Sequence, residues 1–281
     1  MITHHPIFSK FSRIKSRGTG SHIFDFVGSA TDVTFRRGWS KHAVKEGADT
    51  TPAYPPVNEH YFDWIATLTA VDKSEGTFRM AELGAGWAPW LVRAALAARQ
   101  RTSIKQLELV AVEADEVHFE WVKQHFANNG IHGAGIHCLR GAVAGESGTI
   151  RFPKVDNPDE NYGASTRQGE LGAGDFVEVQ AFSLSEVLGR FSGPVNLVHV
   201  DIQGAEYDAI PSTMDLLQQQ VQRIMVGTHI SLDRHHQLAE MLCSSGWREV
   251  MNFERNALCA TPFGTVQFDD GFLLFENTAL L

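Results

Sequence analysis

The sequence predicts an α/β fold built on a mostly parallel sheet, and three observations carry that reading. From residue 58 onward, short apolar runs alternate with stretches of helical spacing. Strands separated by helices build βαβ units, whose strands lie parallel. The chain has 281 residues, 43% hydrophobic and 20% charged. Such a chain can bury a large core, which excludes the disordered, collagen-like and coiled-coil classes. Finally, no apolar run approaches the ~18 residues of a membrane helix, so no integral membrane span is expected.

Residues 1–56 differ in texture from the rest and are expected to form an N-terminal accessory arm, ahead of a domain over 57–281. The arm has a basic start (Lys10, Arg13, Lys15, Arg17), a strand-like piece HIFDFVGSATDVTF, and then GADTTPAYPP. The basic residues are either solvated or meet an anionic acceptor or lipid headgroup. Pro52, Pro55 and Pro56 cannot continue a helix or a central strand, which marks a boundary.

Beyond that boundary the elements follow in order. NEHYFDWIATLTAV carries Tyr61, Phe62, Ile65 and Leu68 at helical spacing, with Asn58 as the expected N-cap. FRMAELG reads as a buried strand, WLVRAALAARQ as a helix and LELVAVEA as a second strand. HFEWVKQHFANNG is a helix closing on the C-cap pair Asn-Gly, and IHCLRGAVA is a third strand. TIRF and FVEVQAF are short β runs facing each other across a polar, Gly-rich connector over 153–176. A connector of that length is a functional loop, such as a lid, or a surface excursion. VNLVHVDI, VQRIMVGTHI and FLLFEN are further strands, with HHQLAEMLCSSG a helix between the last two.

Charge and cysteine usage narrow the setting. A net charge of -9 argues against duplex nucleic acid as a partner. Three cysteines with no CxxC pair argue against a disulfide framework or a zinc site and for a reducing compartment. The start MITHHPIFSKFSRIKSRG has no apolar core of a signal peptide, so a cytoplasmic location is expected.

The chemistry concentrates at three strand ends. In AELGAGWAPW (81–90), Gly84 and Gly86 permit a tight turn that lets backbone approach a ligand at a helix N-terminus. A dinucleotide fingerprint would place a third glycine where Pro89 stands, and an acid about 20 residues on. The acid here, Glu113, comes 29 residues after Gly84. An NAD(P)-dependent oxidoreductase therefore stays only as an alternative. Glu82 lies inside the strand, where a carboxylate needs a partner. Glu113 ends the next strand, where it can accept two hydrogen bonds from vicinal ribose hydroxyls. A nucleoside without pyrophosphate needs that carboxylate but not the third glycine, and S-adenosylmethionine is such a ligand.

The third strand end is HVDIQGAEYDAI, where Asp201 reaches the carboxyl edge of the sheet, beside the methionine side of such a cofactor. Glu206 opens the following helix, which the macrodipole alone would explain. His229, one strand further, is a candidate base, since an ordinary imidazole pKa of roughly 6.5 suits proton removal near neutral pH. Six further histidines (His118, His125, His132, His137, His235, His236) lack metal-ligand companions, and no metal is expected. Trp87, Trp90, Tyr61 and Trp64 either wall a ligand or belong to the core.

The order AELGAG, VEAD, RGAVA followed by TIRF, then VDIQGAE, resembles the FkbM family of S-adenosylmethionine-dependent methyltransferases. The resemblance extends to EHYFDW, Tyr162–Gly163, VGTHI at 226–230 and the ending DDGFLLFENTAL, and so covers residue 57 to the C-terminus. It implies a class I methyltransferase fold, Rossmann-like, with seven strands of which one is antiparallel. It also implies methyl transfer to a hydroxyl of a sugar, glycan or secondary-metabolite acceptor. Matched residue by residue, Glu82, Gly84 and Gly86 form the cofactor turn, and Glu113, followed by Ala114, is the ribose-binding acid. Arg140 to Val143 bracket the adenine, with Ala142 as the contact. Asp201 is the acid after the fourth strand, at once cofactor-contacting and catalytic, with His229 as the second catalytic residue. The family often has Val-Glu-Gly-Ala-Glu where this chain has Ile202-Gln203-Gly204-Ala205-Glu206, which removes a carboxylate that a metal-dependent mechanism would use. His229, in VGTHI, stands where many relatives have Glu-x-His, and here Thr228 precedes it. A non-catalytic S-adenosylmethionine-binding protein is the other alternative, and the sequence admits a homo-oligomer.

Overall fold

In the computed structural model, which describes residues 4–166 and 175–281, seven strands form one central sheet. They are β1 (Gly76–Leu83), β2 (Ile104–Glu113), β3 (Ile136–Arg140), β4 (Leu197–Val200), β5 (Arg223–Thr228), β6 (Trp247–Phe253) and β7 (Gly271–Asn277). Across the sheet their order is β6-β7-β5-β4-β1-β2-β3. All pairings are parallel except those of β7, which runs antiparallel to both β5 and β6. This is the class I methyltransferase topology expected from the sequence. The chain winds one way from β1 to β3 and the other way from β4, so the order reverses between β1 and β4. Ligands of open α/β sheets bind above the carboxyl ends at such a reversal.

Two apolar layers sandwich the sheet. On one face lie α1 (His60–Asp72), α2 (Pro89–Arg99) and α3 (Glu116–Asn128), packed on Phe78, Met80, Leu197 and Met225. On the other lie α4 (Leu184–Leu188), α5 (Glu206–Ser212), α6 (Met214–Gln220) and α7 (Leu232–Ser244), packed on Ala81, Leu83, Val198, Val200 and Val226. Each interior strand supplies both layers because successive side chains point to opposite faces.

The arm shares the first of these cores. Ile7, Phe8, Phe11, Phe26 and Val27 are buried with α1 and α2, and the Phe8 ring stacks on Tyr61 at 5.0 Å. Three of the basic residues at its start have partners within the protein. Lys10 bonds Asp72, Lys15 bonds Asp49, and Arg13 donates to the carbonyls of Thr51 and Pro52.

Several local expectations need correction. Helix α1 opens at His60, with Glu59 rather than Asn58 at the cap and no side-chain capping bond. The run IHCLRGAVA is broken at Gly141. Its second half, Ala142–Ala144, leaves the central sheet to pair with the strand Phe176–Ser183, which also pairs antiparallel with Gly148–Pro153. A Cβ at 141 would stand 2.3 Å from the Gln180 carbonyl oxygen, so glycine permits that crossing. Strand β6 and the hairpin Ala257–Thr261/Gly264–Phe268 escape the sequence reading because their polar, half-exposed residues give no clear apolar run. Of the 153–176 connector, residues 167–174 lie outside the described residues. Among those described, no helix is long and apolar enough to cross a membrane.

Candidate active site

The turn after β1 is built by close backbone approach. Gly84 has a φ of +72°, and a Cβ there would stand 1.8 Å from the Asp201 carbonyl oxygen, so only glycine lets β1 and β4 meet. The N–H groups of Gly84 and Ala85 both donate to the Val112 carbonyl, which ties the turn to β2. Glu82, 1% exposed, finds its partners in helix α2. Its two carboxylate oxygens accept the N–H groups of Trp90 (3.3 Å) and Leu91 (2.9 Å), and His199 Nδ1 stands 3.6 Å away. A buried carboxylate at a helix N-terminus answers both the orphan donors and the macrodipole.

Glu113, 6% exposed, sits across from this turn at the end of β2. Its Oε2 accepts the Gly86 N–H at 2.7 Å and its Oε1 the Asp115 N–H at 2.8 Å. Burial pushes its pKa up to about 7, outweighing those hydrogen bonds. Among the described residues no Lys or Arg pairs with it; the nearest basic group is His118 Nδ1 at 3.9 Å, whose own pKa burial lowers. The His118 ring is stacked on Tyr162 at 4.5 Å, and the Tyr162 hydroxyl donates to the Phe35 carbonyl. The loop carrying Tyr162 is thereby fastened to the arm, and Arg37 strengthens the link by bonding Asp159 and Glu160.

Asp201 stands at the end of β4 with its side chain 43% exposed. Its Oδ1 accepts from Gln203 Nε2 at 2.8 Å and lies 3.3 Å from His229 Nε2. Gln203 Nε2 also lies within hydrogen-bond distance of His229 Nε2, at 2.9 Å. Behind them, Glu206 is fully buried. Its Oε1 accepts both the backbone N–H and the Nδ1–H of His229, each at 3.0 Å. Desolvation works to lower the His229 pKa, but Asp201 and Glu206 outweigh it and push it up to about 10. Burial likewise works to raise the Asp201 pKa, and His229 overrides it and holds that carboxyl below its usual range.

This corrects the expectation of an ordinary imidazole at 229. The ring has Glu206 at Nδ1 and Asp201 and Gln203 at Nε2, its pKa is raised rather than ordinary, and it is off the cavity wall.

A cavity of about 680 Å³ runs over these strand ends, within the range of small-molecule sites. Glu82, Gly84, Gly86, Glu113, Ala114, Ala142 and Asp201 all line it. So do residues that the sequence reading did not single out: His199, Arg93, and Phe26 and Tyr54 from the arm. For His199 a signal was present, because the period-two alternation of VHVD puts it on the same side of β4 as Asp201.

No protein-family model matches the chain. It is similar to a protein of Jannaschia sp. (strain CCS1) assigned as a methyltransferase, at 31% identity over 227 residues, covering 78% of this chain and 79% of that protein. Among solved structures it is similar to methyltransferase FkbM from Methylobacillus flagellatus KT, with a TM-score of 0.45 and 10% identity over 73% of this chain and 45% of that one. Precorrin-6y C5,15-methyltransferase from Geobacter metallireducens GS-15 gives a TM-score of 0.43 and 10% identity over 75% and 85% of the two chains. At that distance the likeness adds nothing to the strand order.

Proposed function

Since the chain belongs to the methyltransferases, we propose that it transfers a methyl group from S-adenosylmethionine to a hydroxyl of a small sugar, glycan or secondary-metabolite acceptor, in the manner of the FkbM family. One observation carries the cofactor reading. Glu113 is a buried carboxylate without a cationic partner among the described residues, opposite a glycine turn and on the wall of a cavity. Each of its oxygens takes one backbone N–H, which leaves lone pairs for two ribose hydroxyls. Such donors would restore the favourable environment that burial removes.

Bound S-adenosylmethionine supplies a methyl group on a positively charged sulfur, open to attack by oxygen. In this reading Gly84 and Gly86 let backbone lie against the cofactor, Glu113 holds its ribose, and Ala114 and Ala142 flank its base. Glu82 acts one step back, holding the turn through helix α2. Asp201 faces the acceptor. As the new O–CH3 bond forms and the S–CH3 bond breaks, Asp201 would take the hydroxyl proton and pass it to solvent; its lowered pKa makes it a weak base, so proximity and orientation supply most of the acceleration. His229 is a positioning residue here, holding Asp201 from behind with Glu206. The net charge of -9 supports a small acceptor over a nucleic acid. The division into an arm (1–56) and a catalytic domain (57–281) is part of the same proposal, with the arm closing the acceptor end.

Calorimetric titration with S-adenosylhomocysteine, with NAD+ in parallel, tests it. Micromolar binding of S-adenosylhomocysteine that disappears in Glu113→Ala is the expected result. NAD+ binding in its place would overturn the reading.

A further inference from the structure

Arg93 on α2 is held in a way that the transfer chemistry does not require. Its Nε donates to Asp25 Oδ2 at 3.1 Å, and Asp25 is itself fixed by the N–H groups of Val27 and Ser29. The guanidinium carbon lies 4.4 Å from the ring centre of Trp90 and 4.8 Å from that of Trp64. The plane is thus locked by one carboxylate and two indoles, and a stacked guanidinium loses little entropy when it binds a ligand. Among the described residues nothing accepts from Nη1 or Nη2, and the side chain, 23% exposed, forms part of the cavity wall.

The neighbours say which end of the cavity this is. Asp25 comes from the arm and Trp64 from α1; Phe26 packs on Trp64 and Tyr54, and His60, whose ring centre lies 6.4 Å from that of Trp90, shares the cavity wall. None of these residues belongs to the ends of β1, β2 and β3, where Glu113, Ala114 and Ala142 stand.

We propose that Arg93 is an acceptor-binding residue, a preset two-pronged donor for an oxyanion (a carboxylate or phosphate) on the molecule that receives the methyl group. This rests on the reading of the cavity as a methyl-transfer site, with cofactor at the β2 end and acceptor at the arm end. A flat guanidinium fork matches the two oxygens of such a group, and the surrounding aromatic and proline surface suits a ring or apolar body attached to it. The acceptor is then a small anionic molecule with a hydroxyl, and the Asp25–Arg93 pair is how the arm sets specificity.

The test uses the full chain saturated with S-adenosylhomocysteine and three probes of similar size: phenyl phosphate, benzoate and benzyl alcohol. Binding is followed by calorimetry and by the fluorescence of the tryptophans that touch Arg93. The two anions are expected to bind at least about tenfold more tightly than the alcohol. That preference should disappear in Arg93→Lys, which keeps the charge and loses the fork, while S-adenosylhomocysteine affinity stays within about twofold. The wild-type comparison needs no variant, so a misfolded Arg93→Lys cannot rescue the proposal. Equal binding of the alcohol and the anions, or binding of none, overturns it. Loss of S-adenosylhomocysteine binding in a folded Arg93→Lys also overturns it, by giving Arg93 to the cofactor's own carboxylate. Failure of the underlying reading shows separately, as absence of S-adenosylhomocysteine binding to the unmodified protein before any anion is added.

Discussion

The Glu206 carboxylate receives His229 twice through one oxygen, from the backbone N–H and from Nδ1, each at 3.0 Å. That pair of hydrogen bonds from helix α5 to the end of β5 fixes the ring against Asp201 and raises its pKa. It also makes the site part of the fold, because a fully buried carboxylate depends on its cation.

His229→Ala should cost about 3 kcal/mol of stability at pH 6–7, since it leaves the buried Glu206 with only the backbone N–H groups of residues 229 and 204 and no side-chain partner among the described residues. The pKa of the ring is raised from an ordinary value near 6.5 to about 10 on folding. Its contribution is therefore fully present below about pH 6.5 and is lost as pH rises toward 10. Denaturant unfolding of both proteins between pH 6 and 10 should show the gap closing; a constant gap would contradict the assigned charge.

Asp201→Asn should lower the His229 pKa, because it removes a carboxylate that raises it and leaves Glu206 at 3.0 Å and Asp270 at 3.7 Å. Histidine NMR titration reads this directly. An unchanged pKa would mean that Asp201 and His229 are not coupled.

Glu113 should give cofactor affinity a pH dependence. With a free-protein pKa near 7, the carboxylate must lose its proton before accepting ribose hydroxyls below that pH. S-adenosylhomocysteine affinity is expected to fall about tenfold per pH unit below 7 and to level off above it. Glu113→Gln should bind weakly with a flat profile over the same range.

The two turn glycines should differ sharply. Gly84→Ala puts a methyl group 1.8 Å from the Asp201 carbonyl oxygen at a left-handed φ, and a loss of 3 kcal/mol or more, or failure to fold, is expected. At Gly86 the nearest atom to a new Cβ is on the Tyr162 ring at 3.5 Å, so only the left-handed backbone resists, at about 1 kcal/mol. Thermal unfolding of the two variants separates these costs.

Much of this protein is determined by sequence alone. The alternation of FRMAELG, WLVRAALAARQ and LELVAVEA dictates parallel strands with helices between them, because buried strands read as apolar runs and helices as periodic ones. Gly84, Gly86, Glu113 and Asp201 stand out for the same local reason, as glycines and acids at strand ends on the carboxyl edge of the sheet. Other properties belong to the tertiary structure. Glu82 is satisfied by backbone eight and nine residues away, and IHCLRGAVA splits because Gly141 must clear a carbonyl from residue 180. The pKa of His229 is set by carboxylates more than twenty residues distant in sequence, and the posture of Arg93 by an aspartate 68 residues earlier. Sequence records which groups are present and their local periodicity. Protonation state and orientation depend on burial and on partners at a few ångströms, and only the folded chain supplies those.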